Sequence, residues 1–158
     1  MVSLALFCPV LLGDTGKRLL LLPHGTVVLF FVVITVYLIE NSTCLKNIKT
    51  QDIVCLQETK GTMTLVNKHF RRIMRTHWVL ANLSSRSVNE GGLITLVSKS
   101  SCPREESITH LKMIPGRVSR VLIQGVGSRQ IAYNIHNQEF TSESMNTVCS
   151  VIRIDLNA

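Results

Sequence analysis

Asp52-Ile53-Val54-Cys55-Leu56-Gln57-Glu58-Thr59-Lys60 is the stretch whose reading decides the fold. Residues 53–56 are an apolar run bounded by polar residues, the pattern of a buried strand. The run ends on an amide, a carboxylate, a hydroxyl and an amine in succession. A carboxylate at the C-terminal end of a core strand stands at the rim of a sheet, where α/β and sandwich enzymes gather catalytic groups. On spacing alone, a core strand running into a polar loop accounts for the same residues.

Downstream, residues 62–74 place Met63, Val66, Phe70, Ile73 and Met74 at helical spacing. Lys68, Arg71, Arg72 and Arg75 line much of the other side, either as a solvated surface or as a face that touches phosphates without sequence preference. Residues 77–80 read as a short strand, 82–90 as a polar loop, and Gly91-Gly92 open a strand over 93–97. Further strands are expected over 108–114, 117–124 and 130–135, with Gly125-Val126-Gly127-Ser128 as a hairpin loop between the last two. Thr141 or Ser142 then caps a helix whose stripe is Met145, Val148, Cys149, Ile152 and Leu156.

Upstream, residues 19–39 contain no Asp, Glu, Lys or Arg. As a helix they would span about 32 Å, close to the roughly 30 Å of a bilayer core. Lys17 and Arg18 flank one end and would lie on the cytoplasmic side, while Glu40 and Asn41 flank the other. Pro23-His24-Gly25 interrupts the run, and residues 26–39 are rich in Val, Ile, Thr and Phe, as a buried strand pair would be. We therefore expect an apolar N-terminal helix with a transmembrane or anchoring role over 19–39, and hold core strands as the alternative. Before it, Gly16-Lys17 has the wrong neighbours for a phosphate loop: Leu11 stands where the first glycine belongs and Arg18 where Ser or Thr is needed. Asn41-Ser42-Thr43 and Asn82-Leu83-Ser84 match the glycosylation pattern, which is short enough to arise by chance.

At 158 residues the chain is long enough for one domain with a sizeable core. Of its net charge of +7, +6 lies from residue 58 onward, where thirteen Lys and Arg meet seven Asp and Glu. Such a balance suits a polyanion, either nucleic acid or an anionic membrane face. The five cysteines (Cys8, Cys44, Cys55, Cys102, Cys149) form no CxxC pair, which argues against a disulfide framework and a zinc site and suits a reducing compartment.

The stretch at 52–60 resembles the DIxxLQET segment of the endonuclease/exonuclease/phosphatase superfamily, which includes apurinic endonucleases and retrotransposon endonuclease domains. The resemblance continues through Trp78, Ser84-Ser85, Gly91-Gly92-Leu93-Ile94, Gly116-Arg117-Val118-Ser119-Arg120-Val121 and Tyr133-Asn134-Ile135-His136-Asn137, and covers about 50–158. It implies an α/β fold, a two-sheet β-sandwich flanked by helices and incomplete here, over 50–158, with 1–49 as a separate apolar segment. It also implies hydrolysis of phosphodiesters with Mg²⁺ or Mn²⁺ and DNA as the partner. Within it Glu58 would be the metal ligand, and a carboxylate suits a hard, oxygen-seeking cation. Asn134 and His136 would lie near the scissile phosphate, two apart on a strand and so on one face; a hydrogen-bonded structural histidine is the competing reading of His136.

The departures are as informative. No TWNVxG-like strand precedes Glu58, and neither the GDxN nor the SDH motif follows by Ala158. A phosphodiesterase needs metal, nucleophile activation and charge stabilisation together, so the chain as written is expected to be inactive or nearly so. Two alternatives stand beside this truncated nuclease-type domain. One is a membrane-anchored binding protein built on a decayed nuclease fold. The other is a phosphatase or lipid phosphodiesterase of the same superfamily. Location follows the 19–39 segment: membrane if it is a helix, otherwise nuclear or cytoplasmic.

Overall fold

A computed structural model describes residues 27–28, 32–33, 48–84, 87–125, 128–136 and 141–156. Two very short strands come first, β1 (Val27–Val28) and β2 (Val32–Val33). Then follow β3 (Ile53–Gln57), α1 (Met63–Phe70), a 3-10 turn (Ile73–Arg75), β4 (His77–Asn82) and β5 (Leu93–Ser98). After a second 3-10 turn (Glu105–Ser107) come β6 (Ile108–Ile114), β7 (Val118–Gly125), β8 (Ser128–Ile135) and α2 (Ser142–Leu156).

The strands form two four-stranded sheets, ordered β1-β8-β7-β6 and β2-β3-β5-β4. Side-chain alternation decides how they stack, because successive residues of a strand face opposite sides. Ile53 and Cys55 of β3 and Val97 of β5 meet Val121, Ile123 and Ala132 from the other sheet. The intervening Val54, Leu56, Ile94 and Leu96 face outward and are covered by Val66 and Phe70 of α1, Ile73 and Ile48. On the far side, Val118, Tyr133 and Ile135 are covered by Val148 and Ile152 of α2. The order of layers is therefore helix, sheet, sheet, helix, a mixed α/β arrangement. It is the amphipathic stripe of each helix that closes the outer faces.

The expected helix over 19–39 needs correction at the residues described. Val27, Val28, Val32 and Val33 are strand, β1 running parallel to β8 and β2 parallel to β3. The β-branched valines favour the pleated backbone, and β3 and β8 each offer an open edge for them to pair with. Among the described residues no helix is long and apolar enough to cross a membrane. The rest of 19–39, the Asn41 sequon and Asn137 lie outside the described residues.

The helix expected over 62–74 is shorter and broken. Thr62 caps it, accepting from the Leu65 amide at 3.4 Å, and the α-helix ends at Phe70 before the 3-10 turn. The strand expected over 108–114 is found as read, and the others start or end within two residues of their expected limits. Thr141 caps α2, its hydroxyl accepting from the Ser144 amide at 3.2 Å.

Candidate functional site

β3 leaves the sheet at Gln57, and there the two sheets are stitched together. The Gln57 side chain donates to the Ile135 carbonyl at 2.6 Å. The next residue, Glu58, has a left-handed backbone (φ 56), a conformation that L residues other than glycine seldom adopt. The chain beyond it is pinned by amides: Thr59 donates to the Gly92 carbonyl at 3.2 Å and Lys60 to the Gly91 carbonyl at 3.1 Å. Gly92 in turn donates to the Gly116 carbonyl at 3.1 Å. The glycine is required at 92, where φ is 97 and a Cβ would stand 2.9 Å from the Thr59 hydroxyl.

At the end of β8 the His136 amide donates to the Arg117 carbonyl at 2.8 Å, which fixes the residue just past the strand. Its imidazole Nε2 lies 2.5 Å from Glu58 Oε1, and the Lys60 ammonium lies 3.6 Å from Glu58 Oε2. The Glu58 side chain is 22% exposed and that of His136 11%, so the pair sits half-sheltered at the rim between the sheets. The fold thus brings together two of the three residues singled out from the sequence.

The third lies deeper. Asn134 is 1% exposed, and its Nδ2 donates to the carbonyls of Leu56 and Ile94, both at 3.2 Å, and to Thr95 Oγ1 at 3.3 Å. It points the same way as His136, as residues two apart must, yet its amide is spent joining the sheets and does not reach the rim. Its Oδ1 and the hydroxyl of Ser119, the residue paired with it on β7, are buried with no hydrogen-bond partner among the described residues. Asn82 completes the seam, donating to the Ile114 and Val118 carbonyls at 2.9 Å and accepting from the Gly116 amide at 3.1 Å.

The donor set can be tested against a divalent ion. Mg²⁺ takes oxygen ligands and keeps several waters. Glu58 brings the one carboxylate among the described residues of this rim, and its two oxygens already face an imidazole and an ammonium. Among the described residues no three His, Cys, Asp or Glu side chains gather closely enough to hold a metal ion. The described residues therefore do not fit a metal centre of this kind as they stand. A cavity of about 100 Å³, lined in part by Asp52, Cys102 and Gln130, opens at the other end of the interlayer and shares no residue with this rim.

Gln57 and Asn82 were not read from the sequence as part of the site. Both sit at strand ends that the sequence reading left in the flanking polar segments; the structure extends β3 to Gln57 and β4 to Asn82. No family model matches the chain, and no curated protein or solved structure is a match.

Proposed function

We propose that the chain carries part of a metal-dependent phosphodiesterase domain of the endonuclease/exonuclease/phosphatase type, related to enzymes that act on nucleic acid, and that its rim does not assemble a working centre. The two-sheet sandwich with outer helices supports the first half of the reading, together with the meeting of Glu58 and His136 at one rim. One observation carries the second half. The Glu58 carboxylate, the expected metal ligand, lies 2.5 Å from His136 Nε2 and faces Lys60. A metal entering there would have to displace the histidine and approach an ammonium, with no second carboxylate among the described residues of this rim to offset the cost.

The test is direct. The full chain, incubated with supercoiled plasmid or an abasic duplex in Mg²⁺ or Mn²⁺, is expected to show no cleavage above an EDTA control. Metal-dependent cleavage that disappears in Glu58→Ala would overturn the inactive reading.

A further inference from the structure

On the outer layer, away from the rim, the sequence builds a one-signed face. From Thr59 to Asn89 the chain has no Asp or Glu, while Lys60, Lys68, Arg71, Arg72, Arg75 and Arg86 fall within it. Lys68 lies on α1, and Arg71, Arg72 and Arg75 follow it at i+3, i+4 and i+7 in the turn after it, where Arg71 and Arg72 keep right-handed helical backbone, so the four fall on one side. Val66, Phe70 and Ile73 form the opposite stripe and are buried against the β3 sheet. All four cations are exposed, and the ion pairs among the described residues involve none of them.

A solvated helix surface normally mixes signs, because like charges at i, i+3 and i, i+4 weaken a helix. One cation near the C-terminal end would satisfy the helix dipole; this segment carries four. Three of them are arginines, whose planar fork matches a phosphate with two hydrogen bonds. The stripe also lacks what a bilayer would need. Val66 and Phe70 are turned to the core, and of the apolar residues of α1 only Met63 and Leu65 are exposed, Leu65 one turn before Lys68, which is less than the apolar face an interfacial helix buries.

We propose that Lys68, Arg71, Arg72 and Arg75, on the outer face of α1 and the turn after it, dock the phosphate backbone of a nucleic acid without regard to sequence. The proposal rests on the stripe alone and does not need Glu58, His136 or a metal.

The experiment is binding of the full chain to a fluorescein-labelled mixed-sequence DNA duplex, followed by anisotropy in EDTA over a range of KCl. Four phosphate contacts predict a slope of log K against log salt of about −3 to −4. The triple variant Arg71→Gln/Arg72→Gln/Arg75→Gln should flatten that slope to about −1. Lys68→Gln alone should reduce its steepness by about 1, which serves if the triple variant fails to fold. No binding by the native chain, or native binding by folded variants, overturns the proposal. So does equal binding to vesicles of three parts phosphatidylcholine to one of phosphatidylserine that the same variants abolish, an outcome that would assign the stripe to a membrane. Because the assay excludes divalent metal, its failure is distinct from failure of the phosphodiesterase reading.

Discussion

Glu58 sits in a backbone conformation that disfavours it. A residue with a Cβ at φ 56 carries a steric cost of about 1–2 kcal/mol that glycine does not. Its partners hold it there: His136 and Lys60 engage the carboxylate, and the amides of Thr59 and Lys60 are fixed to Gly92 and Gly91. Strain and side-chain contact can be separated by two substitutions. Glu58→Ala and Glu58→Gly both remove the carboxylate, but only glycine relieves the backbone. Glu58→Gly should therefore be more stable than Glu58→Ala by about 1 kcal/mol in urea unfolding. Equal stabilities would mean that φ at this position is not strained in solution. The sequence showed that Glu58 ends a core strand, and the strand is there. That its carboxylate would meet the His136 imidazole could not be read, because the pairing depends on how two sheets stack across 78 residues of chain.

α2 is attached to its sheet by more than its apolar stripe. Asp155, in its last turn, is bound by Arg120 at 2.6 Å and by the Tyr133 hydroxyl at 2.5 Å. An acid near a helix C-terminus is disfavoured by the dipole, so these two donors are what make the position tenable. Burial comes first and the bond to Asp155 second in holding the Tyr133 hydroxyl protonated well above the usual tyrosine range. The sign follows. Above about pH 10 the unfolded tyrosine loses its proton while the folded one keeps it, so stability falls as pH rises through that range. Tyr133→Phe should cost about 1–2 kcal/mol at neutral pH by removing one bond to Asp155. It should also flatten the alkaline loss of stability that thermal melts of the native chain are expected to show between pH 9 and 11. A variant as alkali-sensitive as the native chain would show that Tyr133 is not the titrating group. At this same scale the sequence was most legible where an apolar run was short and bounded by polar residues, as in β3. Its helix expectation differs from the structure at Val27–Val28 and Val32–Val33, because an apolar length alone fits both a membrane helix and the strands held as the alternative. The open edges of β3 and β8 are distant in sequence, and they supply the partners for the strands seen at Val27–Val28 and Val32–Val33.

Across the whole molecule the interlayer is unequal from end to end. Its middle is apolar, with Ile53, Cys55, Val97, Val121, Ile123 and Ala132 packed between the sheets. Toward the Glu58 rim the inward positions become polar: Gln57, Asn82, Thr95, Ser119 and Asn134, all buried. There the sheets are joined by side-chain amides bonded to backbone groups of the opposite sheet, which cannot be exchanged for generic apolar packing. Asn82 is the most heavily used of these for holding a turn. It fixes the Ile114 and Val118 carbonyls and the Gly116 amide, where φ is 68 and a Cβ would lie 2.9 Å from the Ser84 backbone. Asn82→Ala leaves the Gly116 amide without this acceptor and should cost about 2–3 kcal/mol in urea unfolding. Asn82→Asp keeps an acceptor for Gly116 but loses both donations and buries a charge, so at neutral pH it should be the worse of the two. A cost below about 1 kcal/mol for Asn82→Ala would mean that water replaces the amide and that the rim is open. A cost of the expected size, with faster hydrogen exchange confined to the Gly116 turn and the ends of β4 and β7, would mean that the polar seam holds the rim closed. It would also explain why Glu58 and His136 stay within contact at the rim of two sheets whose middle is packed with apolar side chains.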